Sequence, residues 1–408
     1  MLPRRGPRGT VLRATRDGAA ERPPLGRALT PLPRACPIVA DETEEGDAMR
    51  AWAVVENGAD LQEIEMPTPE PKGTEVLLEV THCGVCHSDL HIWEGHYDLG
   101  GGKLMSLKDR GVVLPLAMGH EIVGRVVKLG PEAEGVPEGG AAGVKVGDLR
   151  IVFPWVGCGH CERCRAEEDN MCLTSRSLGV YQNGGYATHV LAPHPRHLVD
   201  PGTLDPAVAA TYACSGITVY SAIRKVMPMP PDEPVVLVGA GGLGLNAVAI
   251  LKALGHRNIV VVDLSEEKLQ AATRAGAAKV VVAGEDTTAR IVEAAGGPVG
   301  AVIDMVNGTA TARFAFDALR KGGKLVQVGL FGGELSLPLP LMAIRALTIQ
   351  GSYVGNPKEL RELVALAQGG RLEALPVTRI PQREANAALM RLRDGAVTGR
   401  IVLVADTA

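Results

Sequence analysis

Four thiols fall within fifteen residues in the run Cys158-x2-Cys161-x2-Cys164-x7-Cys172. Such short spacings let successive sulfurs converge on one tetrahedral ion at about 2.3 Å. Four thiolates leave that ion no open position, so the expected role is a structural zinc that ties down a loop. A nucleic-acid-binding zinc ribbon is the alternative. Charge argues against it, because Glu162, Glu167, Glu168 and Asp169 outnumber Arg163 and Arg165. A second chemical signal is Gly239-Ala240-Gly241-Gly242-Leu243-Gly244, placed between an apolar strand and a helix. There the first glycine permits a tight bend, the second admits a pyrophosphate to the backbone, and the third lets helix and strand pack closely. The helix N-terminus offers free N–H groups and a positive dipole end to phosphates. Asp263 ends the next strand nineteen residues after Gly244. A carboxylate there accepts hydrogen bonds from the adenosine ribose and repels a 2′-phosphate, and no arginine follows it, so NAD is expected rather than NADP.

Other candidate ligands are dispersed. Spacing alone does not bring Cys86, His120 and Cys214 together, and taken singly each reads as a buried core residue. Cys83 and Cys86 form a C-x2-C pair, yet no thioredoxin-like βαβ unit precedes them.

These residues need elements to hold them. Between about 49 and 200, short strands alternate with Gly/Pro turns, for example at 76–80 and 122–127, and predict a mostly β domain. From about 215 the rhythm becomes βαβ. Strands are predicted at 235–238, 259–262, 279–282, 301–305 and 324–328. Helices are predicted at 242–254 and at 266–275, the latter capped by Ser265. That alternation implies a doubly wound parallel sheet, giving an α/β fold class overall. The tail beyond 335, with one helix at 358–367, is too short to fold alone and is expected to rejoin the first domain. The expected division is therefore 1–48, 49–215, 216–334 and 335–408. The first 37 residues hold eight arginines and seven prolines and lack apolar periodicity, so 1–48 is expected to be a disordered extension. Its Arg-rich, acid-poor start resembles a transit peptide. The simpler reading is a misassigned start, since Met49 opens a strand-like alternation.

The chain has 408 residues, 46% hydrophobic, with 42 Lys+Arg against 46 Asp+Glu. A net charge of −4 supplies no electrostatic footprint for nucleic acid or an anionic membrane surface. No uninterrupted apolar stretch is long enough to span a bilayer. Eight cysteines, clustered as ligands rather than as a disulfide framework, place the protein in a reducing compartment, the cytoplasm.

Several motifs follow one another in a fixed order. They are Gly84-Val85-Cys86-His87-Ser88-Asp89-Leu90-His91, Gly119-His120-Glu121, the four-cysteine loop, Cys214-Ser215-Gly216-Ile217-Thr218-Val219-Tyr220, the glycine turn, and Gly399-Arg400-Ile401-Val402. From Met49 onward the chain resembles the zinc-dependent medium-chain alcohol dehydrogenases. The resemblance implies a GroES-like catalytic domain joined to a Rossmann domain, with two zinc ions per chain and NAD. Cys86, His120 and Cys214 would hold the catalytic zinc, with Glu121 close behind it and Asp89 orienting His120. His87 and Arg400 would contact the cofactor pyrophosphate, and Lys268 the adenosine ribose. Outside the resemblance, Lys268 and Arg400 read as ordinary solvated charges. The implied reaction is reversible hydride transfer from an alcohol to NAD+, giving an aldehyde or ketone. Its proton would leave through Ser88, the nicotinamide ribose and His91. A homodimer or homotetramer is the implied assembly. All three catalytic ligands are present, which argues against a metal-free quinone reductase on this fold and against a catalytically silent binding protein.

Tyr97 falls where the family places a residue lining the substrate pocket. The segment 98–114 looks about ten residues longer than in short-loop members, and it carries three consecutive glycines with Lys103, Lys108 and Arg110. This insert resembles the 6-hydroxyhexanoate dehydrogenase-like branch. It suggests a capped, longer channel in which one cation meets the far carboxylate of an ω-hydroxy acid.

Overall fold

The apolar stretch Val76–Val85 becomes the central strand of the first half of the molecule. The structure, a computed structural model, describes residues 48–136 and 143–406. The expected extension 1–48 lies outside the described residues except for Ala48, which opens the first strand.

The first half runs β1 (Ala48–Val54), β2 (Gln62–Pro67), β3 (Val76–Val85), α1 (His87–Glu94), β4 (His96–Asp98), β5 (Leu104–Ser106), β6 (Leu116–Ala117), β7 (Glu121–Leu129) and β8 (Leu149–Val152). It continues through α2 (Glu162–Arg165), β9 (His189–Ala192), β10 (Leu198–Val199) and α3 (Pro206–Thr211). A π-helical turn, Tyr212–Gly216, leads directly into α4 (Ile217–Val226). The second half alternates β11 (Val235–Val238), α5 (Gly242–Ala253), β12 (Ile259–Asp263), α6 (Glu266–Ala275), β13 (Lys279–Val282), α7 (Thr287–Ala295), β14 (Val299–Asp304), α8 (Thr309–Asp317) and β15 (Leu319–Gln327). The chain ends with α9 (Leu339–Ile344), β16 (Thr348–Gly351), α10 (Pro357–Gln368), β17 (Val377–Pro381), α11 (Ala385–Arg393) and β18 (Arg400–Val404).

β3 pairs antiparallel with β7, β9 and β18 in a sheet ordered β10-β8-β7-β3-β18-β17. Pairing of Ile401 with Val85 brings the start of β18 beside the start of α1. The second sheet is parallel, ordered β13-β12-β11-β14-β15-β16. Its four-residue strand β11 is buried throughout, as a strand covered on both faces by helices must be. The order reverses between β11 and β14, so the crevice at their carboxyl ends is where a doubly wound sheet receives its ligand. Local rules hold inside this half. The Ser265 hydroxyl accepts from Lys268 N at 3.3 Å and caps α6.

The sheet extends past the expected boundary at residue 334. β16 pairs in parallel with β15, from Lys324↔Thr348 to Gln327↔Gly351, and adds the sixth strand from beyond that point. Sequence periodicity misses this because the short connecting helix α9 fully buries none of its residues and sets only Met342 against the core. One continuous core joins Cys86, Trp155 and Cys214 to Leu237 and Val248 of the nucleotide half. Among the described residues, no helix is long and apolar enough to cross a membrane.

Candidate active site

Cys86 is the N-cap of α1, and its backbone N–H donates to Asp89 Oδ2 at 2.9 Å. The first helical turn therefore fixes the direction of the thiol. The same carboxylate accepts from the Tyr186 hydroxyl at 3.1 Å, and its Oδ1 lies 3.1 Å from His120 Nδ1. That contact orients the imidazole and leaves His120 Nε2 buried without a protein partner. Cys214 sits in the π-helical turn, where every residue is buried. Cys86 Sγ and Cys214 Sγ are 3.7 Å apart, and the ligand atoms of Cys86, His120 and Cys214 all lie within 4.8 Å of one another. Tetrahedral zinc with thiolate ligands needs sulfurs about 3.8 Å apart, so the trio fits a single ion.

The electrostatics fit as well. The hydrogen bond from Cys214, with His120 nearby, outweighs burial and holds the Cys86 thiol well below its ordinary range. The same hydrogen bond, together with burial, drives Cys214 well above it. A cation bound between them would deprotonate both. Glu121 lies outside this trio. Its Oε1 accepts from Ser215 N at 3.0 Å and pairs with Arg400, while Oε2 is buried without a partner. Burial raises the Glu121 carboxyl above its usual range, although Arg400 opposes that shift.

Ser88 and His91 follow on α1. The Cys86 thiol approaches Ser88 Oγ at 3.8 Å. The His91 ring packs 4.8 Å from Tyr97 and 5.7 Å from the exposed His87 ring. Burial lowers the His91 pKa, and His87 lowers it further. Burial lifts the Tyr97 hydroxyl well above its ordinary value, helped by the nearby Tyr353 and Tyr181. Trp155, Tyr181 and Tyr353 carry no signal in the sequence. The Trp155 ring lies 5.1 Å from His120 and 6.0 Å from Tyr353, and its Nε1 donates to Ala213 O at 3.0 Å. Tyr353 is 52% exposed overall, yet desolvation of its hydroxyl pushes that group up to about 12. These aromatic residues share no motif, so only the fold gathers them.

The four-cysteine loop closes on itself. Sulfur separations are 3.5 Å for Cys161–Cys164, 3.8 Å for Cys161–Cys172 and 4.0 Å for Cys158–Cys164. These are tetrahedral edges and far exceed a disulfide bond. Backbone N–H groups of His160 and Cys161 oppose burial and bring Cys158 down to about 6. Arg196 anchors the loop, donating to Cys164 O at 3.0 Å and to Asp169 Oδ1 at 2.7 Å.

At the nucleotide crevice Gly239 has φ +100, and a Cβ on Gly244 would lie 2.0 Å from Gly239 O. Both positions demand glycine. A Cβ on Gly241, the N-cap of α5, would meet nothing within 4 Å, which is the open approach a pyrophosphate needs. Asp263 Oδ2 accepts from Ala240 N at 2.7 Å and Oδ1 from Ser265 N at 2.9 Å, which ties the carboxylate to the glycine turn. Lys268 lies in the first turn of α6. Arg400 differs from a solvated charge. It is 4% exposed, and its side chain lies so close to Gly242 that a Cβ there would strike its Cδ. Arg400 thus connects Glu121, next to His120, to the first turn of α5.

Residues 72–201 match the alcohol dehydrogenase GroES-like domain, and residues 242–369 match the zinc-binding dehydrogenase model. An NAD-dependent alcohol dehydrogenase of Sulfurisphaera tokodaii is 39% identical over 361 residues, covering 87% of this chain and 100% of the relative. A protein of the same description from Saccharolobus solfataricus has the same identity and coverage. The crystal structure of the alcohol dehydrogenase from Aeropyrum pernix superposes with a TM-score of 0.77 at 32% identity, covering 87% of this chain and 99% of that one. A buried Cys/His trio beside a dinucleotide turn, in a chain that aligns along the full length of such relatives, makes this protein a member of the zinc-binding alcohol dehydrogenase family.

Proposed function

We propose that the protein oxidises an alcohol to an aldehyde or ketone, with NAD+ as the hydride acceptor, and runs the reaction in both directions. The observation that carries this reading is the convergence of Cys86, His120 and Cys214 into one buried ligand set. A zinc ion held there would keep a fourth position open and lower the pKa of an alcohol hydroxyl as a Lewis acid. NAD would take the hydride, and relatives described as NAD-dependent support that choice.

The remaining work falls to the side chains. Asp89 holds the His120 ring so that Nε2 faces the ligand set. With NAD bound, the Ser88 hydroxyl would accept the proton of the alcohol while giving up its own toward the nicotinamide ribose, and the His91 ring would receive it from there and pass it to solvent. His87 and Arg400 bind pyrophosphate at the turn formed by Gly239, Gly241, Gly242 and Gly244. Asp263 and Lys268 bind the adenosine ribose. Glu121 stands behind the ligand set, paired with Arg400. Cys158, Cys161, Cys164 and Cys172 hold a second, structural zinc. Tyr97 lines the alcohol pocket and shields the His91 ring from water.

The substrate reading is narrower: an ω-hydroxy acid or another primary alcohol of some length. The arm from β4 to β5 packs Gly100 and Gly101 against Gly333 and Glu334 of the nucleotide half. An open groove lined by Gly101, Thr309, Glu334, Leu335 and Ser336 lies beside it. Thiolate ligands suit a reducing cytoplasm, and a second copy of the chain is the expected partner.

The experiment is an NAD+-reduction panel of primary, secondary, aromatic and ω-hydroxy-acid alcohols on purified protein of known zinc content. Two zinc ions per chain, NADH from at least one alcohol class, and loss of turnover on chelation with recovery on adding Zn²⁺ are expected. No NADH from any alcohol, with one metal or none, refutes the reading.

A further inference from the structure

Two non-glycine residues with left-handed backbone lie on the two sides of one contact outside the catalytic machinery. Glu167, φ +57, belongs to the four-cysteine lobe. Val354, φ +39, belongs to the turn between β16 and α10. A β-branched residue in that region is a conformational outlier, and it persists only where its surroundings over-determine it. Here the surroundings are specific. Asn170 Nδ2 donates to Tyr353 O at 3.0 Å. Arg361 Nη2 donates to Glu167 Oε1 and Oε2 at 2.9 and 2.8 Å. The Asn170 amide oxygen is buried without a partner, while its Nδ2 donates to the strained turn. The Tyr353 ring stands edge-on to Trp155, which in turn lies against the His120 ring. An unbroken line of contacts therefore runs from the four-cysteine lobe to the wall of the alcohol site.

We propose that the four-cysteine lobe positions this wall: Asn170, braced by the Glu167–Arg361 pair, holds the Tyr353 backbone so that its ring stays against Trp155 and limits the width of the alcohol admitted. The proposal rests on the alcohol-oxidation reading above. Asn170 is a positioning residue that acts through Tyr353. The lobe is then more than a clamp on the fold, since its grip sets which alcohols enter.

The test compares Asn170→Asp, Asn170→Ala, Tyr353→Ala and the double variant Asn170→Ala/Tyr353→Ala. Asn170→Asp keeps the shape and removes the donor, which guards against a variant that fails to fold. The probes are benzyl alcohol and ethanol. Loss of the donor should raise the benzyl-to-ethanol ratio of kcat/KM about fivefold, chiefly through a lower KM for benzyl alcohol. Tyr353→Ala should raise it at least as much, and the double variant should match Tyr353→Ala alone. Hydrogen–deuterium exchange at 352–356, read without turnover, should quicken about tenfold in Asn170→Asp while zinc content per chain stays constant. Additive effects in the double variant, an unchanged ratio, or unchanged exchange overturn the proposal. A wild-type protein that oxidises no alcohol refutes the functional reading instead, and the exchange measurement still decides whether Asn170 holds the turn.

Discussion

His91 shows how burial sets the usefulness of one side chain. Burial, assisted by His87, lowers its pKa below the ordinary histidine value, so the ring is neutral at pH 7. Only the neutral ring can accept a proton, so kcat/KM should rise as pH climbs through that lowered pKa and then level off. Replacing His91 with Gln should cut kcat/KM for ethanol by roughly tenfold to a hundredfold at pH 7. The deficit should shrink toward pH 10, where hydroxide can take the proton. A pH profile of the variant parallel to that of the wild type would remove His91 from the proton path. At this scale the sequence was legible where ligands are neighbours, as in the four-cysteine run. It was silent where they are not. Cys86 and Cys214 are 128 positions apart, and nothing in their spacing predicts sulfurs at 3.7 Å. The Arg400 side chain read as solvated outside the family resemblance because its partner Glu121 is still more remote in sequence.

Elements with strong local signals came through well. The strand–glycine–helix unit of β11 and α5 could be read directly, since a buried apolar strand and an N-terminal glycine turn each leave a periodic trace. β16 left none, because the strand itself is barely buried and the helix before it turns only Met342 to the core. The hairpin of β4 and β5 lies between these cases: its glycines mark flexibility, yet the destination of its charges depends on pairing. Tyr97 pairs with Met105 across the hairpin, and Arg110 Nη1 lies 3.7 Å from Met105 Sδ. The Arg110 charge also opposes the rise in the Tyr353 pKa that burial causes, so these two side chains are electrostatically linked. Lys103, Lys108 and Arg110 are all exposed on this arm, and only Arg110 is linked to Tyr353. Of the three, Arg110→Ala should therefore lower kcat/KM for 6-hydroxyhexanoate relative to 1-hexanol, by about fivefold given the weakness of exposed ion pairs. Lys103→Ala and Lys108→Ala should leave that ratio near the wild-type value. If none of the three variants changes it, the carboxylate reading of the arm fails.

In the whole molecule the two ligand sets play unequal structural parts. The trio spans three distant points of the chain. Cys86 follows β3, His120 precedes β7, and Cys214 lies in the π-helical turn that continues into α4 and the nucleotide half. The four-cysteine set closes only its own lobe. The nucleotide sheet has a separate apolar cluster on one face, built from Val236, Val260, Val302, Phe316 and Leu325 among others, and that cluster includes no ligand from either set. The other face shares a core with Cys86 and Cys214, but the glycine turn is braced within its own sheet, so cofactor binding should outlast metal loss. Each ion bound at a hundred times its dissociation constant contributes about 2.7 kcal/mol through linkage. Cys161→Ser and Cys214→Ser should each lower the zinc count from two to one and lower the Tm by several degrees. Cys214→Ser should abolish alcohol oxidation while binding NAD+ within about threefold of the wild type, because the glycine turn and Asp263 are held by backbone contacts of their own sheet. Calorimetric titration of NAD+ into both variants checks this. If Cys214→Ser loses NAD+ affinity together with its zinc, the two halves are coupled through the metal, and the independence of the nucleotide sheet is wrong.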